Sequence, residues 1–321
     1  MVCPFLNEVA GLDEEALIVR RACRCERVLR DRSDPLLHHD DHLYERYRFS
    51  ADGIRYLCRL LGPHIQHRTT QSRAMTVPQM VCVALHFFAS GMFLYSVKDA
   101  ENLDKGAICC AIRSVYLALK SQMHVFITFP GHRRMCYIKE GFYKIAAFPN
   151  VIGALDYTHV RIKRPSGPHK GDFVNRKSFH SINVQMICDA DCLFSNVEAK
   201  WPGSVHDARI CRASTIHQRL SQGKFDGILL DDKGYGCQPF LLTPFPDPQT
   251  MAQRGYNLAH ARTRARIEMA FGLLKARFQC LQHLRVSPDR ACEITVACTV
   301  LHNIATAVFP DNVNGRVVRD Q

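Results

Sequence analysis

Apolar residues recur at helical spacing in the first part of the chain. One such run predicts a helix from Asp52 to the Gly62-Pro63 pair, where glycine and proline disfavour its continuation. Thr76 followed by Pro78 predicts the beginning of a second, strongly apolar helix, and Asp104 precedes a third. The second and third helices, over residues 76–120, have the order of a helix-turn-helix module. Any bundle of short helices gives the same pattern.

The third of these helices is the predicted recognition helix, and its charge bears on DNA binding. Its cations are Lys105, Arg113 and Lys120, which are few for the readout of bases. A more basic run, residues 14–30, predicts another helix that either contacts nucleic acid or forms a solvated surface.

From about residue 148 the apolar spacing changes to every second position. Segments 151–162, 181–188 and 192–199 alternate in this way and predict strands. Asp189-Ala-Asp191 is a turn signal between the second and third strands. We therefore expect the three strands to form an antiparallel meander.

The pattern beyond the meander completes the predicted fold. It indicates a helix over 206–220, a strand over 227–230, a basic helix over 256–277 and an apolar helix over 291–307. Three strands, a helix, a strand and a long helix are the order of a ribonuclease H-like α/β domain. We expect a mainly helical domain over 1–148, the ribonuclease H-like domain over 149–308 and a tail over 309–321.

Composition limits the function classes. The 321 residues include 42 Lys plus Arg against 30 Asp plus Glu, and a net charge of +12 favours polyanionic partners or serves as a solubilising surface. Hydrophobic residues make up 47% of the chain, which excludes wholesale disorder. The 15 cysteines accompany neither a secretory signal nor a long apolar span, so we expect reduced thiols and no membrane association. Their spacing does not match a zinc site.

Four acidic residues stand in separate predicted elements: Asp156 in a strand, Asp207 at the beginning of a helix, Asp232 past a strand end and Glu268 in the long helix. Carboxylates brought together from distant elements are what divalent metals need for phosphodiester chemistry. A carboxylate within a buried strand also requires a cation or hydrogen bonds, so the partner of Asp156 is either a metal or a structural arginine. Asp207 has a second interpretation as a helix cap or surface charge.

Six phrases occur in a fixed order, within a similarity to known sequences that covers about residues 45–306. They are Gly153-Ala-Leu-Asp-Tyr-Thr-His-Val160, Phe173-Val-Asn-Arg-Lys-Ser-Phe-His-Ser-Ile-Asn183, Trp201-Pro-Gly-Ser-Val-His-Asp207, Leu229-Leu-Asp-Asp-Lys-Gly-Tyr235, Glu268-Met-Ala-Phe-Gly-Leu-Leu-Lys-Ala-Arg-Phe278 and Val300-Leu-His-Asn303. Together they resemble the PIF/Harbinger superfamily of DDE transposases and the nucleases derived from them. Six phrases in one order are far more specific than a single motif.

The resemblance implies a ribonuclease H-like nuclease that binds two divalent ions, Mg²⁺ or Mn²⁺. When each phrase is matched to its counterpart in the family, the catalytic and metal-ligating positions fall on Asp156, Asp232 and Glu268. Asp207 matches a further acidic residue that either ligates metal or lies nearby. The chain departs from the family at Asp231, where a glycine is usual. Because neighbouring strand residues point to opposite faces, Asp231 either joins the metal site or lies outside it.

Cations near these phrases are candidates for holding DNA phosphates. They are Arg176, Lys177, His180, Arg262, Arg264 and Arg266. The last three also fit a solvated helix end.

The resemblance further implies DNA as the substrate and a Myb-like adaptor protein as a partner. It favours the nucleus, with the cytoplasm as the second location, and it is compatible with an oligomer. The competing function is a catalytically silent domesticated transposase that binds DNA or acts as a scaffold with that partner.

Overall fold

The computed structural model describes residues 34–66, 74–92, 96–97, 103–232 and 236–309. The predicted basic helix over 14–30 and most of the predicted tail lie outside these residues. The helices are α1 (Asp40–Tyr47), α2 (Ala51–Ile65), α3 (Val77–Ser90), α4 (Lys105–Ser121), α5 (Met123–Phe126), α6 (Met135–Ala146), α7 (Asp207–Ala213), α8 (Thr215–Ser221), α9 (Met251–Arg277) and α10 (Pro288–Ala307). The strands are β1 (Val151–Arg161), β2 (Ser181–Cys188), β3 (Phe194–Pro202), β4 (Ile228–Leu230) and β5 (Leu241–Leu242).

Local capping fixes the beginnings of the early helices. Thr76 and Gln79 form a capping box at α3, with Pro78 in its first turn, and Asp104 caps α4 through the Gly106 N–H. Gly91 ends α3 in the left-handed conformation, at φ 62°. These boundaries confirm the sequence prediction. The helix-turn-helix assignment itself stays a prediction.

The predicted end of α2 near Gly62-Pro63 is confirmed to within two residues. The helix continues to Ile65 and contains Pro63 in its last turn. Proline there lacks only one helical N–H, and the Gln66 N–H bonds to the Gly62 carbonyl at 3.0 Å to close the turn.

The five strands form one mixed sheet in the order β3-β2-β1-β4-β5. Strands β1, β2 and β3 pair antiparallel, which confirms the predicted meander, whereas β4 lies parallel to β1 and β5 parallel to β4. Strand β2 is buried along its whole length. The predicted α/β class is therefore confirmed.

The helices pack with the sheet in one hydrophobic core. Helix α4 contributes one buried face to it, including Ile108, Ile112 and Val115, and α10 is buried along most of its length. Helix α9 begins five residues before the predicted position because Thr250 and Gln253 form a second capping box. Among the described residues, no helix has the length and apolarity needed to cross a bilayer.

Candidate active site

Asp156 lies within β1 on the face of the sheet that α9 covers. Its side chain is 23% exposed, and its Oδ1 accepts a hydrogen bond from the Tyr157 N–H at 2.8 Å. Burial raises the pKa of Asp156 above its ordinary value. The Tyr157 N–H and the Arg264 guanidinium oppose this shift, and the charge of Glu268 adds to it.

Arg264 of α9 supplies the cation that Asp156 requires. One guanidinium nitrogen lies 3.1 Å from Asp156 Oδ2, and the other lies 2.7 Å from Glu268 Oε1, one helical turn further along. The Arg264 side chain is 16% exposed and Glu268 is 59% exposed, so the bridge begins inside the protein and ends at its surface. Two of the three predicted catalytic acids thus converge on one positive charge.

Asp232 is the second residue past the end of β4 and is exposed. In the parallel register Ala154 pairs with Leu230, and Asp156 and Asp232 each follow two residues later. Because side chains alternate along a strand, this register favours the same face for Asp232 as for Asp156. Sequence spacing alone does not give this relationship, which depends on the pairing of β1 with β4.

Asp231 is fully buried. Its Oδ1 accepts a hydrogen bond from the Asp232 N–H at 2.7 Å, and its Oδ2 has no hydrogen-bond partner. Burial raises the pKa of Asp231 well above its ordinary value; the Asp232 N–H opposes the shift, and the charge of Asp156 adds to it. Its charge adds to burial in raising the pKa of Cys211 of α7, whereas the Arg264 charge of α9 acts to lower the pKa of Asp231, so Asp231 interacts electrostatically with groups on both helices.

The residues present fit a divalent cation in part. Asp156 and Glu268 offer hard oxygen ligands that already face one cation. Within the described ranges, however, no group of three or more His, Cys, Asp or Glu side chains is arranged to hold a metal. The arrangement found is an arginine between two carboxylates.

Asp207 occupies a different place. It begins α7, and its Oδ1 accepts a hydrogen bond from Asn183 Nδ2 of β2 at 2.7 Å. Asn183 pairs with His159 of β1, and the charge of Asp207 acts on that histidine. Since His159 and Asp156 lie three residues apart on one strand, their side chains point to opposite faces. The described contacts therefore separate Asp207 from the Arg264 bridge.

The face that bears Asp207 carries a buried polar row that the sequence pattern did not single out. Ser181, Asn183 and Gln185 of β2 are at most 1% exposed. Ser181 Oγ lies 3.1 Å from His159 Nδ1, and the Tyr157 hydroxyl donates to Gln185 Oε1 at 3.2 Å. Burial lowers the pKa of His159, against the charge of Asp207. Alternation predicted the strand, but only the sheet register brings these groups together.

Lys275 was also missed, although it stands in one of the six phrases. Its ammonium donates to Thr158 Oγ1 at 2.7 Å and to the His159 carbonyl at 3.2 Å. Burial lowers the pKa of Lys275. The amine lies on the α9 face two residues along β1 from Asp156, close to the candidate site.

The six predicted phosphate contacts do not form one cluster. Arg264 joins the carboxylates, while Arg262 is exposed and Arg266 contacts Met269 Sδ at 3.7 Å. On the other face, Arg176 lies 2.6 Å from His206 Nδ1. Lys177 is exposed there, and His180 is half-buried.

The Val-Leu-His-Asn phrase has a structural role. Asn303 of α10 accepts from the Phe194 N–H at 2.9 Å and donates to the Phe194 and Phe126 carbonyls at 2.7 and 2.8 Å. His302 is fully buried; burial and the nearby Arg277 charge lower its pKa to about 3, so the ring is neutral. Its Nε2 lies 3.0 Å from the Cys192 carbonyl and donates to it. These bonds fix β3 to α10.

Several known proteins are similar to this chain over most of its length. The family model described as "DDE superfamily endonuclease" matches residues 155–303. The chain is 35% identical over 272 residues to the Homo sapiens protein named "Putative nuclease HARBI1", covering 83% of this chain and 78% of that one. The Xenopus laevis protein of the same name is 32% identical with the same coverage, and an Arabidopsis thaliana "Protein ALP1-like" is 24% identical over 80% of this chain and 69% of its own length. No solved structure matches the chain.

Proposed function

The chain belongs to the DDE endonuclease superfamily, among its transposase-derived nucleases, and from this we propose that it hydrolyses phosphodiester bonds of DNA with divalent metal ions. The observation that carries the proposal is the convergence of Asp156 and Glu268 on one cation. Two carboxylates from distant parts of the chain, one in β1 and one in α9, meet there, at the positions the family resemblance assigns to catalysis.

Asp156, Asp232 and Glu268 would hold the ions. Bound Mg²⁺ or Mn²⁺ would supply Lewis-acid activation of water and stabilisation of the leaving oxygen. Arg264 can hold a phosphate oxygen once its guanidinium leaves Asp156, because it remains charged and presents paired donors. Lys275 stabilises the backbone of β1 next to Asp156 through its bonds to Thr158 and His159.

A ribonuclease H-like domain is part of the proposal. It is supported by three antiparallel strands, a helical connection, a strand parallel to the first and a long helix that bears Glu268. The exposed end of β4, where Asp232 lies, is where sheets with parallel strands commonly present functional side chains.

The test uses the purified full chain with plasmid and duplex oligonucleotide DNA, with Mg²⁺, with Mn²⁺ and with a chelator. We expect metal-dependent cleavage that is lost in Asp156→Asn and in Glu268→Gln, both close in shape to the native residue. Arg254→Gln, an exposed change in the first turn of α9, is the matched control. Cleavage that persists in both carboxylate variants would contradict the assignment.

Metal binding is measured separately by calorimetry with Mn²⁺. Loss of Mn²⁺ binding in the two variants, without DNA cleavage by the native chain, would retain the metal site and reject the nuclease. Native chain that binds no Mn²⁺ would reject both.

A catalytically silent DNA-binding or scaffolding protein is the second candidate. In this candidate the Arg264 guanidinium is the lasting counter-ion of Asp156 and Glu268, and no metal ion takes its place. In this case a Myb-like partner would supply DNA recognition, an oligomer could form the scaffold, and a nuclear location would be required. Metal-independent association with DNA, together with absent cleavage, would select this candidate.

A further inference from the structure

A cleft away from the carboxylates opens between α4 and the segment that joins α9 to α10. Its volume is about 210 Å³. Phe87, Ile112, Tyr116 and Leu284 form a floor of buried apolar and aromatic side chains. The space is smaller than the roughly 300–1,000 Å³ of a typical pocket for a drug-sized ligand, and it suits one large apolar side chain.

The rim of this cleft is positively charged. Lys105, Arg113, Arg285 and Arg290 line it and are exposed, and no Asp or Glu side chain is among its described lining residues. Within the described part of the chain, neither Arg113 nor Arg290 forms an ion pair or side-chain hydrogen bond. The nearby acid Glu293 pairs instead with Lys120, at 3.0 Å.

Hydrogen bonds within the chain hold the walls of the cleft in place. The Leu284 N–H donates to the carbonyl of Arg161, the last residue of β1, at 2.8 Å. The Leu284 carbonyl accepts a hydrogen bond from the Lys163 N–H at 3.0 Å. Arg285 donates to the Gly91 carbonyl at 3.3 Å, which joins the segment to the end of α3. A preformed cleft loses little conformational entropy when a partner binds.

We propose that this cleft binds an acidic peptide segment of another protein, with one large apolar side chain on the floor and carboxylates at the rim. Charge complementarity supports the acidic class, because no described lining residue is acidic and Arg113 and Arg290 form no ion pair within the described ranges. The floor argues against a nucleobase, whose polar edge would lose its hydrogen bonds to water there. A DNA backbone could satisfy the rim but has no apolar group to fill the space below. The site is independent of the proposed nuclease activity.

The cleft is tested with the full chain and a random-peptide phage library. We expect the selected peptides to carry net negative charge and at least one aromatic or large aliphatic residue. Synthetic copies should lose about tenfold or more in affinity, about 1.4 kcal/mol, when Arg113 and Arg290 are both changed to Glu. Lys224→Glu with Arg254→Glu makes the same charge change at two exposed positions elsewhere and should leave the affinity within about twofold.

A second variant tests the apolar floor without a change in charge. Cys109 lines the cleft and is half-buried, so Cys109→Phe should fill the space and abolish peptide binding. Thermal melts of all variants check that they fold. Selected peptides without acidic residues, or affinities unchanged in both the charge and the filling variants, would overturn the proposal.

Two other occupants give distinct results. Duplex or single-stranded DNA that competes with peptide, and whose binding depends on Arg113 and Arg290 but not on Cys109→Phe, would identify a nucleic-acid site instead. Self-association in sedimentation that Cys109→Phe removes would identify a second copy of the chain. Either result would overturn the assignment to a heterologous acidic peptide.

Discussion

Arg264 donates to Asp156 at 3.1 Å across 108 residues of sequence, and its second nitrogen reaches Glu268 at 2.7 Å. The arginine keeps two like charges close together in a partly buried place, where their repulsion would otherwise be large. A divalent ion bound by the same carboxylates would have to share them with this guanidinium or displace it. Stability and metal affinity are therefore coupled through Arg264.

Arg264→Ala should destabilise the metal-free protein by about 1–3 kcal/mol, because it leaves Asp156 partly buried without its cation. Mn²⁺ should offset part of that loss by neutralising the same carboxylates. Urea unfolding with and without Mn²⁺ measures both effects. Arg262→Ala removes an exposed cation from the same helix and should change stability by less than about 0.5 kcal/mol. Equal effects of the two substitutions would contradict a structural bridge.

The bond between α10 and β3 depends on one amide. Asn303→Ala removes three hydrogen bonds and leaves buried backbone groups of Phe194 unpaired, so we expect a loss of about 2–4 kcal/mol in the free energy of unfolding. Asn303→Asp retains the acceptor for the Phe194 N–H but loses both donors, and it should also be strongly destabilising. Denaturant unfolding measures both; a loss below about 1 kcal/mol for Asn303→Ala would show that water replaces the amide.

Asp189 makes stability depend on pH. Burial raises its pKa from 3.8 to about 6, although N–H groups of Leu193 and Asp191 bond to its Oδ1. The unfolded chain therefore releases this proton at lower pH than the folded chain, and the contribution to stability falls as pH rises from about 4 to about 6.

Asp189→Asn should remove this dependence, because the amide oxygen can accept the same bonds without a charge. We expect the variant to exceed the native protein by about 2 kcal/mol at pH 7.5, with the excess shrinking as the pH falls towards 4. Unfolding free energies across this range measure the difference. An excess that grows towards acid would mean that the native pKa is lowered rather than raised.

Local pattern predicted the elements more fully than the site. Strand 181–188 was predicted at its observed bounds, because its apolar residues occupy every second position. In the structure the whole strand is buried. Helix α6 and the two-residue β5 were missed, since mixed aromatic and charged residues obscure the apolar period of α6 and β5 is too short to show one.

The candidate site was recognised through its phrases, but its contacts were not. The sequence placed Arg264 among the phosphate-binding cations, whereas the structure places it between Asp156 and Glu268. That contact depends on how α9 lies over β1, which no local pattern records. The separation of Asp207 from Asp156 was not predicted for the same reason, because it depends on α7 and α9 lying on opposite faces of the sheet.

Asp207 provides the sharpest test of that separation. It is held by Asn183 at 2.7 Å, on the face of β1 that bears His159 rather than Asp156. Asp207→Asn keeps an oxygen for the Asn183 amide and the same shape, so stability should change by less than about 1 kcal/mol. Mn²⁺ affinity should stay within about twofold of the native value, whereas Asp156→Asn should lower it about tenfold or more. Calorimetric titration of the two variants makes the comparison. If both lost Mn²⁺ equally, Asp207 would be a metal ligand, and the metal-bound chain would have to bring together two acids that the sheet separates here.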